Sequence, residues 1–394
     1  MTTTSAPARP RTKPNVQASP SARIGFWTGE QLNPRRNSLN LIRLILALAV
    51  LYHHSWPLGG FEGHPQIGGV VLGGWAVYGF FCLSGYLITA SRLSHPLGEY
   101  LIHRAARILP AFWVCLGLTV AVFAPVAYLH DHGTLNGYLT GPGVTPLNHV
   151  LLNSTLQINA YGIGETLSAN PYPTAWNGSL WTLYYEFICY LAVGALAISP
   201  LFRRSLVPAL ASFFASVLLV ANIETVLPYL QNNPDVRNIL TLIPFFLGGS
   251  VIQMARSRLP LHWLGAALSA ICTAALLELS SEWGLQLAAP LITYVLLWIG
   301  KSVPSPSVIR RHDVSYGVYI YAFPIQQLLA SFGAHRHGVI AYTALSVVLT
   351  APFAAASWIL VERPVMRRAR RSSRPATRQE PTENLVDAAR VPPR

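Results

Sequence analysis

The sequence predicts an all-α polytopic membrane protein of about ten transmembrane helices, with both termini in the cytoplasm. Three observations carry this. Hydrophobic residues make up 52% of the 394 and charged residues only 11%, with a mean hydropathy of +0.39; a soluble surface of this size needs far more charge. Apolar runs of roughly 18 to 25 residues recur along the chain, each long enough to cross about 30 Å of hydrocarbon as a helix, unlike the alternating segments of a membrane barrel. The third observation is where the cations fall. With spans at 38–56, 69–90, 108–128, 179–200, 205–222, 239–254, 260–279, 285–300, 314–332 and 338–361, alternating the loops gathers the 28 Lys and Arg on one side, save Arg237, Arg336 and the intramembrane Arg43. The positive-inside rule makes that side cytoplasmic.

In chain order, residues 1–36 hold no apolar core that would serve as a secretory signal. Their Pro, Thr, Ser and Arg content reads as a disordered cytoplasmic tail. A transmembrane domain is expected over 37–366 and a second disordered, basic tail over 367–394. The expected location is the inner (plasma) membrane, with multiple crossings and lipid as its surroundings. No fused second catalytic module is expected after the tenth span. The net charge of +13 follows topology rather than a nucleic-acid surface, so no nucleic-acid partner is expected. Cys82, Cys115, Cys189 and Cys272 all fall in apolar segments and read as buried free thiols.

Most connections are short, but the far-side segment from His130 to Gly178 is long and rich in Gly, Pro, Asn and aromatics. Such segments are often functional. Tyr161, Tyr172 and Trp176, beside Asn159, Asn170 and Asn177, offer flat faces and amides suited to sugar rings; interfacial anchoring is the competing reading. No internal repeat is visible, which weighs against an inverted-repeat transporter.

The stretch "IRLILALAVLYHHSW" poses the chemical question, because Arg43, His53 and His54 sit in an otherwise apolar span. His54 lies 11 residues after Arg43, three turns plus about 20°, so both face one side of a helix roughly 16 Å apart. His53 points about 80° away. A buried charge at this depth requires a polar cavity or a partner. The alternative is Arg43 reaching the inner headgroups while His54 rests at the outer interface. Glu186, about two turns inside the fourth span, also requires a partner. Arg104 and Arg107, at i and i+3 at the cytoplasmic entry of the third span, can hold a phosphate or pyrophosphate, although as topology signals alone they are unremarkable. A membrane histidine, a carboxylate and an arginine pair fit acyl transfer from a phosphate-bearing donor. Neutral imidazole, with an ordinary pKa of about 6.5, takes the proton of an attacking hydroxyl while a carboxylate holds its tautomer.

Six stretches, in order from about Asn37 to Arg368, together resemble the acyltransferase-3 family, and within it the polysaccharide O-acetyltransferase-like branch. They are "NSLNLIRLILALAVLYHHSWPL", "FFCLSGYLI", "HRAARILPAFW", "NPYPTAWNGSLWTLYYEFICYL", "DVSYGVYIYAFP" and "VERPV". The resemblance implies a ten-helix fold, an acyl-CoA donor (here acetyl-CoA) drawn from the cytoplasm, and a carbohydrate hydroxyl as acceptor. It places catalysis on His54, Glu186 and Arg43, and the donor on Arg104, Arg107, Arg43 and Ser84. Ser315 and Tyr316 match the Ser-Tyr pair. Where many relatives carry a histidine before the aromatic-Pro end of the fifth stretch, this chain has Ala322, so that task is absent or moved. From the residues themselves, Ser84 and Gly85 read first as a close helix contact or a local break, ahead of chemistry. Direct transfer with His54 as base and a transient acyl-histidine both satisfy this chemistry. A glycolipid carrier or flippase lined by the same charges is the alternative function, and a membrane scaffold a third. His130, His132, His335 and His337 lack acidic or cysteine ligands at a recognisable spacing, so no metal is expected.

Overall fold

The architecture is given by a computed structural model that describes residues 31–33 and 37–372. Nearly all of the expected N-terminal tail, and positions 373–394 of the C-terminal one, lie outside the described residues. Each expected span coincides with a helix: α1 Leu39–Gly59, α2 Leu72–Ser94 and α3 Leu97–His132, then, after a short helix α4 Pro146–Asn153 in the far-side segment, α5 Gly178–Leu196, α6 Val207–Ala221, α7 Pro234–Ala255, α8 Trp263–Leu279, α9 Ala289–Ser302, α10 Ser315–Ser331 and α11 Val339–Arg371. Six of them (α1, α2, α3, α5, α7 and α11) are long and apolar enough to cross alone; α6 qualifies with its continuation Ile223–Leu230, bent by 76°. The protein is an all-α polytopic membrane protein. α8, α9 and α10 are shorter, at 17, 14 and 17 residues. α10 carries Tyr316, Tyr319, Tyr321, Gln326 and Gln327, all buried among its neighbours. A helix shielded from lipid on every face has no need to be apolar.

Contacts at the helix ends agree with the alternation expected from the charges. The Ser38 amide and hydroxyl, entering α1, donate to Gly300 O and Val303 O at the exit of α9 (2.7 and 2.5 Å). Asn40 donates to Ile309 O and Arg310 O just before α10. At the opposite end, Gln327 Nε2 donates to Tyr172 O and Ala175 O (2.8 and 2.7 Å), and its side-chain oxygen accepts from Asn170. These bonds tie the far-side segment to the central helix.

α2 and α7 pack in close contact. A Cβ on Gly85 would lie 1.9 Å from Phe246 O, and one on Gly249 2.1 Å from Cys82 O. Gly85 is therefore the close helix contact that its sequence context allowed. Because the obstruction is backbone, no rotamer relieves it. Gly85→Val should cost at least about 1–3 kcal/mol, seen as lost monodispersity or a lower melting temperature in detergent; an unchanged melt would contradict this packing.

Two helices carry π-helical turns, Thr119–Phe123 in α3 and Ser357–Glu362 in α11, a distortion frequent at functional sites. In the second, Ser357 Oγ donates to Glu362 Oε1 (3.0 Å). Residues 367–372, expected as the start of a tail, instead prolong α11, and this brings Arg370 back over the bundle. The far-side segment also corrects an expectation. Trp176, Asn170 and Asn177 are buried rather than presented to a sugar. Trp176 Nε1 donates to Thr166 Oγ1 (2.7 Å), and Asn177 bridges His149 and Thr119.

Candidate active site

α1 presents Arg43 and His54 to cavities at opposite ends of the bundle. The inner cavity, about 270 Å³, is lined by Arg43, Ser84, His103, Arg104, Arg107, Tyr190, Asp313, Trp358 and Arg370. The outer one, about 910 Å³, is lined by His54, Asn159, Tyr161, Tyr172, Trp181, Tyr185, Asp235 and Phe323 among others. Between them lies a void of only about 30 Å³ bounded by Arg43, Phe80, Thr182, Glu186 and Tyr319.

At the inner end, Asp313 Oδ2 bridges two arginines, Arg43 at 2.5 Å and Arg107 at 2.8 Å. Arg107 turns its other nitrogen to Glu362 Oε2 (2.6 Å) and lies over the rings of Tyr316 and Trp358. Asp313 Oδ1 accepts from Ser315 Oγ (2.5 Å). Arg107, expected as a donor ligand, is thus charge-balanced by two carboxylates. Arg104 differs: its Nε is buried with no hydrogen-bond partner. Burial alone would raise the Asp313 carboxyl, but Arg43 and Arg107 hold it below its ordinary value of 3.8. A depressed carboxyl contributes stability that is complete above the unfolded value and is lost as pH falls through the folded one. This contribution is therefore flat from neutral pH down to about 4 and fails only below. Asp313→Asn should remove that acid limb from a melting-temperature profile; an unaltered profile would exclude the coupling.

Glu186 is not paired with His54. Its Oε1 accepts from Ser84 Oγ (2.6 Å) and Tyr190 Oη (2.7 Å), and it faces the central void together with Arg43. The structure thus joins Ser84 and Glu186 to Arg43, on the inner half, and leaves His54 apart from them. The expectation paired Glu186 with a histidine at a similar depth near the outer end of its span; its contacts with Ser84 and the void shared with Arg43 place it deeper than that.

His54 sits edge-on to Phe323, 5.1 Å between ring centres. Its Nδ1 is buried without a hydrogen-bond partner, while the residue lines the outer cavity. Unpaired buried polar atoms are rare and costly, and they concentrate where a function requires them. Across the same cavity Asp235, in the first turn of α7, accepts from Tyr185 Oη (2.6 Å) and Gln157 Nε2 (2.8 Å). The two cavities are separated by packed groups. Thr182 and Tyr319 share a hydroxyl hydrogen bond, Tyr319 donates to Ser179 O (2.9 Å), and Phe323 packs on Gly178, where a Cβ would meet the ring at 2.5 Å.

Sequence reasoning passed over Asp313, Glu362, Tyr190 and Arg370. Asp313 and Glu362 stood in view, since an acid beside each cytoplasmic helix end is what two buried arginines require. Arg370 was hidden by its place in an apparent tail. Ala322 is buried within α10.

A sequence profile described as an acyltransferase domain, that of acyltransferase-3, matches residues 36–362. The chain belongs to the acyltransferase-3 family. Among its relatives, an O-acetyl transferase of Shigella phage Sf6 is 28% identical over 339 residues, covering 84% of this chain and 96% of that protein. Nodulation protein 10 of Rhizobium leguminosarum bv. viciae is 26% identical over 380 residues, covering 86% of this chain and 96% of its own. No solved structure matches. This acyltransferase-3 member is an O-acyltransferase of the O-acetyltransferase-like branch, built as a multi-pass membrane protein.

Proposed function

We propose that this acyltransferase moves an acetyl group from acetyl-CoA, bound from the cytoplasm of a plasma (inner) membrane, to a hydroxyl of a cell-surface or exported glycan. The observation that carries the reading is His54: an imidazole with an unpaired buried Nδ1, on the wall of an outer cavity of about 910 Å³ edged by Tyr161, Tyr172 and Trp181. Aromatic faces with amides beside them suit sugar rings, and the similarity to the O-acetyl transferase of phage Sf6 supports acetyl as the group transferred.

In this scheme the donor's phosphates meet Arg104, with Arg370 and Arg43 on the same wall, and the thioester points towards the central void. His54 takes the proton of the acceptor hydroxyl as its oxygen attacks the thioester carbon. The C–S bond breaks, and that proton leaves with the CoA thiolate. Glu186, tied to Ser84 and Tyr190, acts as the counter-charge to Arg43 rather than as the tautomer holder first expected. Arg107 supports the donor site through Asp313 without touching the donor.

The test is release of free CoA from acetyl-CoA by the detergent-purified protein, with the host's surface glycan fraction as acceptor, matched to acetyl ester on the glycan. A transporter would leave the thioester intact. A charged hydrogen bond to phosphate contributes about 1.5–3 kcal/mol, so Arg104→Ala should raise the KM for donor by about 10- to 150-fold with little change in melting temperature. An unchanged KM would move the donor elsewhere.

A further inference from the structure

The loop between α2 and α3 gathers ligands that the reaction does not use. His95, Glu99 and His103 each offer one ligand atom, all within 4.8 Å of one another, the sole such group of His, Cys, Asp or Glu among the described residues. Glu99 Oε1 lies 3.9 Å from His95 Nε2 and 4.0 Å from His103 Nε2. Glu99 and His103 share a face of α3 at i, i+4. His95 folds back over that face from the turn before it.

We propose that His95, Glu99 and His103 form a binding site for a divalent transition cation, Zn²⁺ by the chemistry of the ligands, on the cytoplasmic shoulder of the inner cavity. Surface Glu–His pairs at i, i+4 are ordinary, but the preparation of His95 is not. Its Nδ1 lies 2.8 Å from Ser91 O. A carbonyl only accepts, so Nδ1 carries the hydrogen, and Nε2, on the side of Glu99 and His103, keeps its lone pair for a cation held between the three. That is the outer arrangement by which metal-binding histidines are oriented. The backbone of His95 is held as well: the buried Arg92 donates to His95 O (3.1 Å) as well as to Gly194 O and Ala197 O. Tetrahedral Zn²⁺ with bonds of about 2.0–2.1 Å places its ligands about 3.3 Å apart. Each carboxylate–imidazole separation, 3.9 and 4.0 Å, therefore closes by well under an ångström, and the two imidazoles, within 4.8 Å of each other, by no more than about 1.5 Å. Two histidines and a carboxylate leave a fourth position for water, a set that suits zinc over magnesium or calcium. Arg104 and Arg370 line the same cavity as His103. Their like charge weakens the site, and a cation held there adds positive charge to their wall.

The experiment uses the full chain, purified in detergent through a tag without histidine, stripped with chelator, and titrated with Zn²⁺ against a competing chromophoric chelator. One equivalent should bind with a Kd at or below about 10 µM. Glu99→Gln and His95→Gln should each weaken it at least about tenfold, while His132→Gln and His335→Gln on the far side leave it unchanged. Because a variant can misfold, Co²⁺ is added to the wild-type protein as well; a tetrahedral site gives visible d–d absorption that Zn²⁺ displaces. Equal Zn²⁺ binding by the wild type and the Glu99 and His95 variants overturns the proposal. So does the absence of both stoichiometric uptake and the cobalt bands.

Discussion

His54→Gln should lower acetyl transfer by about 10²- to 10⁴-fold, the range of a lost general base, while leaving melting temperature and donor KM nearly unchanged. The side chain is partly buried and its Nδ1 bonds to nothing, so the fold loses little when it is replaced. The donor contacts assigned here lie at the other end of α1, at Arg43 and Arg104. A fall in kcat with constant KM is the mark of a group that acts in the transition state alone. If the variant keeps wild-type turnover, His54 is an interfacial residue and catalysis belongs to another group of the outer cavity. A rapid-quench sample of wild type with acetyl-CoA and no acceptor separates the two routes. Direct transfer leaves the protein unlabelled, and an acyl-histidine appears only if the route is covalent.

The largest effect on stability is expected at Arg107. Removing one partner from a buried ion cluster costs about 3–5 kcal/mol, because the remaining charge stays desolvated. Arg107→Ala strands Glu362, which is 1% exposed and has Arg107 as its sole cationic partner among the described residues. Asp313 fares better, since it keeps Arg43. The result should be a large drop in melting temperature, partly recovered when Glu362→Gln is added. Adding Asp313→Asn should recover less. An Arg107→Ala protein as stable as wild type would mean that the cluster is hydrated and contributes nothing to the fold.

The contrast between Arg104 and Arg107 shows where the sequence stops being informative. Both stand at the cytoplasmic entry of α3, three residues apart, and the text of the chain treats them alike. The bilayer makes helices legible, because any segment that crosses must be long and apolar, and the loop cations reveal its direction. Arg43 and His54 could be placed on one face because a single helix sets their relation. Relations between helices are another matter. The pairing of Glu186 with Ser84 and Tyr190, and of Asp313 with two arginines, depends on how each helix is rotated about its axis, which packing decides. Gly85 and Gly249 record part of that packing, as close-contact residues whose partners the sequence does not name. α10 was legible as a span and not as the centre, since its tyrosines and glutamines read as weak hydrophobicity rather than as burial.

The narrow middle of the bundle has an electrical consequence. A bilayer that keeps ions apart tolerates no continuous file of water, yet this protein carries a cavity at each end of its bundle. The void of about 30 Å³ between Arg43 and Tyr319 has room for only a water or two, each needing about 10–15 Å³ of such space. Thr182, Tyr319, Phe80 and Phe323 thus serve as insulation. On the proposed route an acyl group that passes between the cavities displaces them, and each turnover would briefly open the dielectric that they otherwise keep closed.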